Sequence, residues 1–306
     1  MPKIQDKTRS WLISVLKFAL VSSGCVYIIF AFKNQSFSFS QESFDSMSLL
    51  SIALTLSILS FLNWFGEIKK WQILIQKSQF KNASKETLIA HGLSIFTPQK
   101  LGEFGGKCMF YSKKESLKII SLTGLGQMAQ LFTTIAFGVL GLILLSTKLD
   151  LESILNLQWL WIFVFFLSFF FISPIRKVGR KIFADIPAIE DHIKFKVLAW
   201  SVFRYLIFSH QFVFLIWNLG IEINYFDAFW GMSLVYLVSS IIPIFAITDT
   251  LVKGSVCLTI FTILGYNSPE ILFVIFLMWI FNTVIPASIG YIWMFKWHPK
   301  LFTQNI

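Results

Sequence analysis

Apolar runs about as long as a lipid bilayer is thick recur along the whole chain. Of the 306 residues, 56% are hydrophobic and only 14% are charged, whereas soluble proteins carry roughly a quarter charged residues. A run of roughly 20 apolar residues crosses the hydrocarbon core as a helix. The sequence therefore predicts an all-α, polytopic integral membrane protein with about eight spans, and it leaves little chain for a separate soluble catalytic domain.

Hydropathy places the spans and also one shorter, interrupted segment. The predicted spans are 11–32, 47–65, 119–145, 157–173, 197–219, 228–246, 251–264 and 271–295. The segment 86–104 is too short to cross and is broken by Pro98 and by glycines, so it is expected to be a broken or re-entrant helix. The span 228–246 is broken at Pro243 and either crosses or dips in and returns. The side of the C-terminus therefore stays open.

The charge distribution indicates how the chain is oriented and which partners it has. Lys and Arg number 26 against 16 Asp and Glu, a net charge of +10. Such an excess is typical of cytoplasmic loops beside anionic lipid, so no nucleic-acid partner is expected. Lys3, Lys7 and Arg9 precede the first apolar run, which predicts a cytoplasmic N-terminus on a multi-pass protein of a bacterial-type cytoplasmic (inner) membrane.

No cofactor and no metal ion are predicted. Cys25, Cys108 and Cys257 are odd in number and widely spaced, which argues against a disulfide framework and a metal site. The four histidines are scattered without the spacing of a zinc site. Because no enzyme signature is present either, no catalytic residue is predicted.

Two interrupted segments in different halves of the chain share one pattern. The first reads Ser94-Ile95-Phe96-Thr97-Pro98, then Gly102-Glu103-Phe104-Gly105-Gly106-Lys107, and the second reads Ser240-Ile241-Ile242-Pro243, then Thr248-Asp249-Thr250-Leu251-Val252-Lys253. Interrupted apolar segments at corresponding positions of two halves point to a transporter binding site at the repeat interface. We therefore predict one membrane domain, 1–306, that contains an inverted repeat with cores 86–174 and 228–296.

Charged residues within these segments form the candidate substrate site. The spacing i,i+4 puts Glu103 and Lys107 on one helical face, and likewise Asp249 and Lys253. Because charge inside a membrane is costly, it tends to be kept where it functions, here with lysine on a phosphate and acid on an amine. Ordinary ion pairs at helix ends are the alternative. The other candidate residues are Pro98, Gly102, Gly105, Gly106, Gln127, Arg204 and Pro243.

The first motif resembles the Pro-x-x-x-Gly-Glu signature of the flippase-like transmembrane domain of lysylphosphatidylglycerol synthases. Pro98, Gly102 and Glu103 match it, and Lys107 stands where that family often has arginine. The stretch 243–253 is similar to a second family element, with other residues in place of its usual glycines. The resemblance implies a domain that moves lipid headgroups between leaflets. Since no aminoacyl-transfer domain follows, it implies no lysyl transfer by this chain alone.

Three functions are compatible with these patterns. The first is a lipid flippase or transporter for a phospholipid or a polyprenyl-linked headgroup. The second is a non-catalytic membrane scaffold for a separate lipid synthase or glycosyltransferase. The third is an intramembrane lipid-modifying enzyme with Glu103 or Asp249 as its base. The sequence leaves open which lipid is moved, the energy source, and whether the chain forms a homo-oligomer.

Overall fold

All regular secondary structure in the described part of the chain is helical. The computed structural model describes residues 46–76, 79–97, 100–149, 189–241, 249–266, 268 and 270–295. The helices are α1 Ser46–Ile75, α2 Phe80–Ser94, α3 Gly102–Cys108, α4 Ser116–Leu144, α5 Asp191–Asn218, α6 Tyr225–Ile241, α7 Asp249–Ile263, α8 Ile271–Trp279 and α9 Ile285–Phe295. A π-helical turn, Ile280–Val284, joins α8 to α9, and a 3₁₀ turn, Lys113–Glu115, precedes α4. The predicted spans 11–32 and 157–173 lie outside the described residues.

Four helical stretches within the described ranges are long and apolar enough to cross a membrane. They are Leu49–Ile75, Lys113–Leu144, Asp191–Asn218 and Ile271–Phe295, of 27, 32, 28 and 25 residues. At about 1.5 Å per residue each exceeds the hydrocarbon thickness of about 30 Å. These four helices agree with the predicted spans 47–65, 119–145, 197–219 and 271–295.

The helix boundaries differ from the predicted ones in three regions. Helix α1 continues ten residues past the expected end at 65. The interrupted segment begins earlier than expected, at Phe80, and is broken between Ser94 and Gly102. The predicted spans 228–246 and 251–264 become α6 and α7, with 17 and 15 residues. Their described parts are about 26 Å and 23 Å long, and residues 242–248 between them lie outside the described ranges.

The helices pack as two halves with the same pattern of contacts. Helices α1–α4 form the first half and α5–α9 the second, and α1 packs against α5. The contact of α4 with α6 corresponds to that of α9 with α2, and α2 with α3 corresponds to α6 with α7. The contact of α3 with α4 likewise corresponds to that of α7 with α8. The two sets of helices thus make corresponding contacts, and α1 and α5, which lie outside the predicted repeat cores, are part of this pattern. The inverted repeat itself stays a prediction.

Glycines allow the equivalent contacts between the halves to be close. A Cβ atom on Gly290 of α9 would lie 2.1 Å from the carbonyl oxygen of Leu88 in α2. A Cβ atom on Gly138 of α4 would lie 2.5 Å from the Cβ of Leu237 in α6. Small residues let helices approach closely where the surrounding lipid supplies no hydrophobic driving force. Both contacts between the halves therefore depend on the absence of a side chain.

In the first hairpin, α2–α3, a carboxylate of α2 is hydrogen-bonded to a tyrosine that follows α3. Glu86 of α2 accepts hydrogen bonds from Tyr111, which follows α3, and from the indole of Trp71, both at 2.6 Å. Burial and the neighbouring carboxylate raise the pKa of the Tyr111 phenol. Tyr111 is therefore the donor of this bond.

In the α6–α7 hairpin, a carboxylate of α6 is likewise hydrogen-bonded to a tyrosine that follows α7. Asp227 near the start of α6 accepts a 2.7 Å hydrogen bond from Tyr266, which follows α7, and also bonds Lys148 and Asn224. Burial alone raises the pKa of Asp227, but the hydrogen bonds from Lys148, Tyr266 and Asn224 outweigh it and hold that pKa below its ordinary value. Both hairpins thus contain a hydrogen bond between a carboxylate of the first helix and a tyrosine that follows the second helix.

Candidate functional site

A cavity of about 700 Å³ lies between the two halves. Residues of α1 to α8 and of the π-helical turn line it. Its volume is within the range of roughly 300–1,000 Å³ that small-molecule sites have. Because both halves contribute to its wall, any relative motion of the halves changes its shape.

Charged side chains from both halves line this cavity. They are the cations Lys70, Lys100, Arg204 and Lys253 and the carboxylates Glu67, Glu103 and Asp249. Charge within a membrane protein is expensive unless it is paired or faces water or a ligand. How each of these groups is paired therefore decides what the cavity can bind.

Side chains of two helices of the first half, α3 and α4, bind Glu103. Lys107 donates to its Oε1 at 2.6 Å, as the i,i+4 spacing predicts, and Gln127 of α4 donates to its Oε2 at 3.1 Å. The Lys107 ammonium also lies 4.1 Å from the centre of the Trp71 ring, a cation–π contact. Lys107 is buried and is not part of the cavity wall, so its role here is to fix Glu103.

Asp249 and Lys253 form the matching pair in the second half. Lys253 Nζ lies 2.5 Å from Asp249 Oδ2, and its ammonium lies 6.0 Å from the centre of the Tyr236 ring. The side chains of Lys253 and Asp249 are 30% and 23% exposed, against 3% and 12% for Lys107 and Glu103. The pair in the second half is therefore the more accessible of the two.

Arg204 connects three long helices at the wall of the cavity. Its Nη1 donates to Glu67 of α1 and, at 3.2 Å, to Gln130 of α4. Its Nε donates to the side-chain oxygen of Asn63 at 3.0 Å. Glu67 also accepts from Lys70 at 2.7 Å, so one carboxylate serves two cations. This cluster holds α5 of the second half against α1 and α4 of the first.

The π-helical turn exposes backbone carbonyl groups to α1. Pro286 has no N–H group, so the helix leaves the carbonyls of Phe281 and Asn282 without their usual donors. The hydroxyl of Ser60 donates to the carbonyl of Phe281, and the indole of Trp64 donates to that of Asn282 at 3.0 Å. Side chains of α1 thus satisfy the carbonyls that the proline leaves free.

Side-chain amides extend this network to α5. Asn63 donates to the side-chain oxygen of Asn282 at 2.9 Å, and Asn282 donates to Gln211 at 2.7 Å. Because Asn63 also accepts from Arg204, the ion cluster and the π-helical turn belong to one hydrogen-bond network. A substitution in the ion cluster is therefore expected to affect the hydrogen bonds of the π-helical turn, and the reverse.

The structure brings five of the candidate site residues together around the cavity. They are Glu103, Gln127, Arg204, Asp249 and Lys253. Lys107 lies behind the wall, bound to Glu103. Pro98 and Pro243 are outside the described residues.

The candidate glycines do not line the cavity, and at least two of them have a packing role instead. A Cβ atom on Gly102 would lie 2.6 Å from the carbonyl oxygen of Leu93, and one on Gly106 would lie 2.7 Å from the Cα of Ala90. They let α3 pack closely against α2. Gly105 is exposed, and a Cβ atom there would have no neighbour within 4 Å. Gly102 and Gly106 therefore have a packing role in this structure, and a role of any of these glycines in ligand binding stays a prediction.

Several residues of the site were not among the sequence candidates. They are Asn63, Glu67, Lys70, Lys100 and Asn282. Two of them, Asn63 and Asn282, are amides inside apolar runs, a signal that could have identified them. Glu67 and Lys70 have the i,i+3 spacing of a helical ion pair, which indicates that the helix continues past the apolar run.

Comparison with protein-family models, with curated proteins and with solved structures gives no match. The fold nevertheless defines a class, since four long apolar helices make this a helical membrane protein. Within that class its particular features are the two matching halves and the charged cavity between them. The resemblance to the flippase-like domain depends on the motif residues alone and stays a prediction.

Proposed function

We propose that the protein moves the headgroup of a membrane lipid between the leaflets of the cytoplasmic membrane. The substrate is a phospholipid or a polyprenyl-linked lipid, and the cavity between the halves is the path of its headgroup. The observation that supports this proposal is that Glu103 and Asp249, from matching hairpins of the two halves, line one cavity. Interrupted segments that meet at a repeat interface are typical of transporter sites.

The physical chemistry of the wall supports a polar ligand. A headgroup that crosses the bilayer loses its water, which costs free energy unless other polar groups replace that water. The cavity offers ammonium, guanidinium, carboxylate and amide groups for this purpose. A scaffold that only recruits another protein does not need such groups, so the cavity favours the carrier over the scaffold.

The proposal includes an orientation for the chain. We take α6 and α7 as a hairpin that dips in and returns, because their contacts correspond to those of α2 and α3, which the sequence predicts to be a broken or re-entrant segment. If 157–173 crosses, α1 and α5 run in opposite directions and the repeat is inverted. The N-terminus and the C-terminus are then both cytoplasmic, which agrees with Lys296, His298 and Lys300 near the end.

Translocation of labelled lipids in proteoliposomes tests the proposed function. Several phospholipids and a polyprenyl-linked sugar are incorporated with the wild type, Glu103→Gln and Lys253→Gln. We expect the wild type to move at least one lipid faster than protein-free liposomes. Each variant removes a charge from the cavity pairs, so we expect it to be slower by about tenfold or more.

Lys118→Gln is the matched control, because Lys118 is exposed near the start of α4 and does not line the cavity. It removes the same charge and should keep the wild-type rate. Equal rates in all four proteins would contradict a headgroup path through the cavity. A folded wild type that moves none of the lipids would contradict the carrier and favour the scaffold.

A further inference from the structure

The charges of the cavity wall are not all paired within the protein. Glu67 binds Lys70 and Arg204, Glu103 binds Lys107, and Asp249 binds Lys253. Lys100 also lines the cavity and is exposed, and its ammonium group has no ion pair or hydrogen bond among the described residues, although its backbone carbonyl accepts a hydrogen bond from the Glu103 N–H. The charge that the protein leaves without a partner is thus positive.

Charged groups of both signs act on Lys100. Lys253 and Arg204 repel its ammonium group, whereas Asp249 and Glu103 attract it. Both carboxylates are already bound to a lysine, Asp249 to Lys253 and Glu103 to Lys107. An anion bound between the ammonium groups of Lys100 and Lys253 would offset their repulsion and gain two attractive contacts.

The backbone at Lys100 is also unusual. Its φ is 56°, in the left-handed region, which residues other than glycine adopt infrequently. Within the described ranges the other such residue is Gln76, directly after the end of α1. Such strain clusters at binding and switch sites, where the surrounding structure maintains it. The residue with this backbone conformation is a lysine at the break between α2 and α3.

Hydroxyl groups beside Lys253 have hydrogen-bond capacity that the protein does not use. Ser239 near the end of α6 and Thr250 in the first turn of α7 both line the cavity. Their oxygen atoms are buried and have no hydrogen-bond partner in the described part of the chain. Phosphate oxygens accept hydrogen bonds from hydroxyl groups, and helix N-terminal ends favour anions.

From this geometry we infer that the cavity is selective for a headgroup whose net charge is negative, with its phosphate bound between Lys100 and Lys253. This inference rests on the proposed function and gives its substrate class. An amine on the headgroup would find each carboxylate of the wall already bound to an internal cation. The sequence expectation that an acid binds a headgroup amine is therefore replaced by selection of a phosphate anion.

Translocation of three lipids with the same acyl chains tests the selectivity. They are phosphatidylglycerol, which is anionic, phosphatidylethanolamine, which is zwitterionic, and an aminoacylated phosphatidylglycerol, which is cationic. We expect the wild type to move the anionic lipid about tenfold faster than either of the others. Lys100→Gln should slow the anionic lipid by about tenfold, whereas Lys100→Arg should keep most of the rate because it keeps the charge. Lys118→Gln is again the control.

Binding in detergent separates a folding defect from a loss of selectivity. A short-chain phosphatidylglycerol is titrated into each purified variant, and binding is followed by native mass spectrometry. Lys100→Gln should elute as the wild type does in gel filtration and bind about tenfold more weakly. Equal affinity of Lys100→Gln and the wild type would overturn the assignment of Lys100.

The outcomes also distinguish this inference from the proposed function. Equal wild-type rates for all three lipids, unchanged in Lys100→Gln, would overturn the anion selectivity but leave the carrier in place. Absence of translocation of any lipid would contradict the carrier itself. Uptake of labelled inorganic phosphate that depends on Lys100 would assign the anion site to a soluble ligand and overturn the lipid substrate.

Discussion

Replacing Glu67 with glutamine is expected to destabilise the protein by about 3 kcal/mol and to abolish translocation. Glu67 is the shared carboxylate of Arg204 and Lys70, which lie on different helices. Its loss leaves two cations together at the wall of the cavity without a counter-charge, and removing one partner of a buried ion pair is far more costly than removing both. Denaturant unfolding in detergent micelles measures the change in the free energy of unfolding.

A double variant tests whether Glu67 and Arg204 act as a pair. In Glu67→Gln combined with Arg204→Met one of the two cations is gone, so the double variant should be more stable than Glu67→Gln alone. Glu190→Gln is the control, because Glu190 is 72% exposed and its loss should change stability by less than about 0.5 kcal/mol. Additive losses in the double variant would show that Glu67 and Arg204 do not act as a unit.

Alanine at Gly290 is expected to destabilise the contact between the halves by about 3 kcal/mol or more. Its Cβ would lie 2.1 Å from a backbone oxygen of α2, and backbone cannot move aside as a side chain can. Gly138→Ala should also destabilise the protein but by less, since there the nearest atom, the Cβ of Leu237, is 2.5 Å away instead of 2.1 Å. Thermal unfolding in detergent ranks the variants.

Gly105→Ala is the control for this series. A Cβ at Gly105 has nothing within 4 Å, and alanine favours a helix over glycine by roughly 0.5–1 kcal/mol. We expect it to be as stable as the wild type or slightly more so. If Gly290→Ala were equally stable, α2 and α9 would not be in such close contact.

The fold class and part of the site follow directly from the sequence. Long apolar runs have few alternatives to membrane-spanning helices, because the bilayer satisfies no backbone hydrogen bonds. The i,i+4 spacing of Glu103 with Lys107 and of Asp249 with Lys253 also forms the predicted pairs. These features depend on residues close together in the chain, so a sequence pattern contains them.

Other features depend on contacts between distant residues. Hydropathy ends the second span at 65 because Glu67 and Lys70 count as polar, although Arg204, 137 residues further along, neutralises that carboxylate. The sequence also does not distinguish a glycine that faces a ligand from one that faces a helix, as Gly102 and Gly106 do.

The position of Lys100 also depends on contacts between distant residues. In the sequence it is one of several lysines in a stretch that the positive-inside rule places in a cytoplasmic loop. Only the packing of the two halves brings it to the same cavity as Lys253 and the carboxylates of both halves. Its missing partner is a property of the whole arrangement, and no local pattern contains it.

Blocking the cavity with a covalent label tests most directly whether the headgroup passes through it. Thr134 lines the cavity, whereas Ser57 is exposed on α1, so Thr134→Cys and Ser57→Cys place the same bulky maleimide inside and outside the path. The unmodified chain measures labelling of native cysteines. We predict that translocation falls in proportion to labelling of Thr134→Cys and stays unchanged in labelled Ser57→Cys. Full translocation by completely labelled Thr134→Cys would contradict a headgroup path through this cavity.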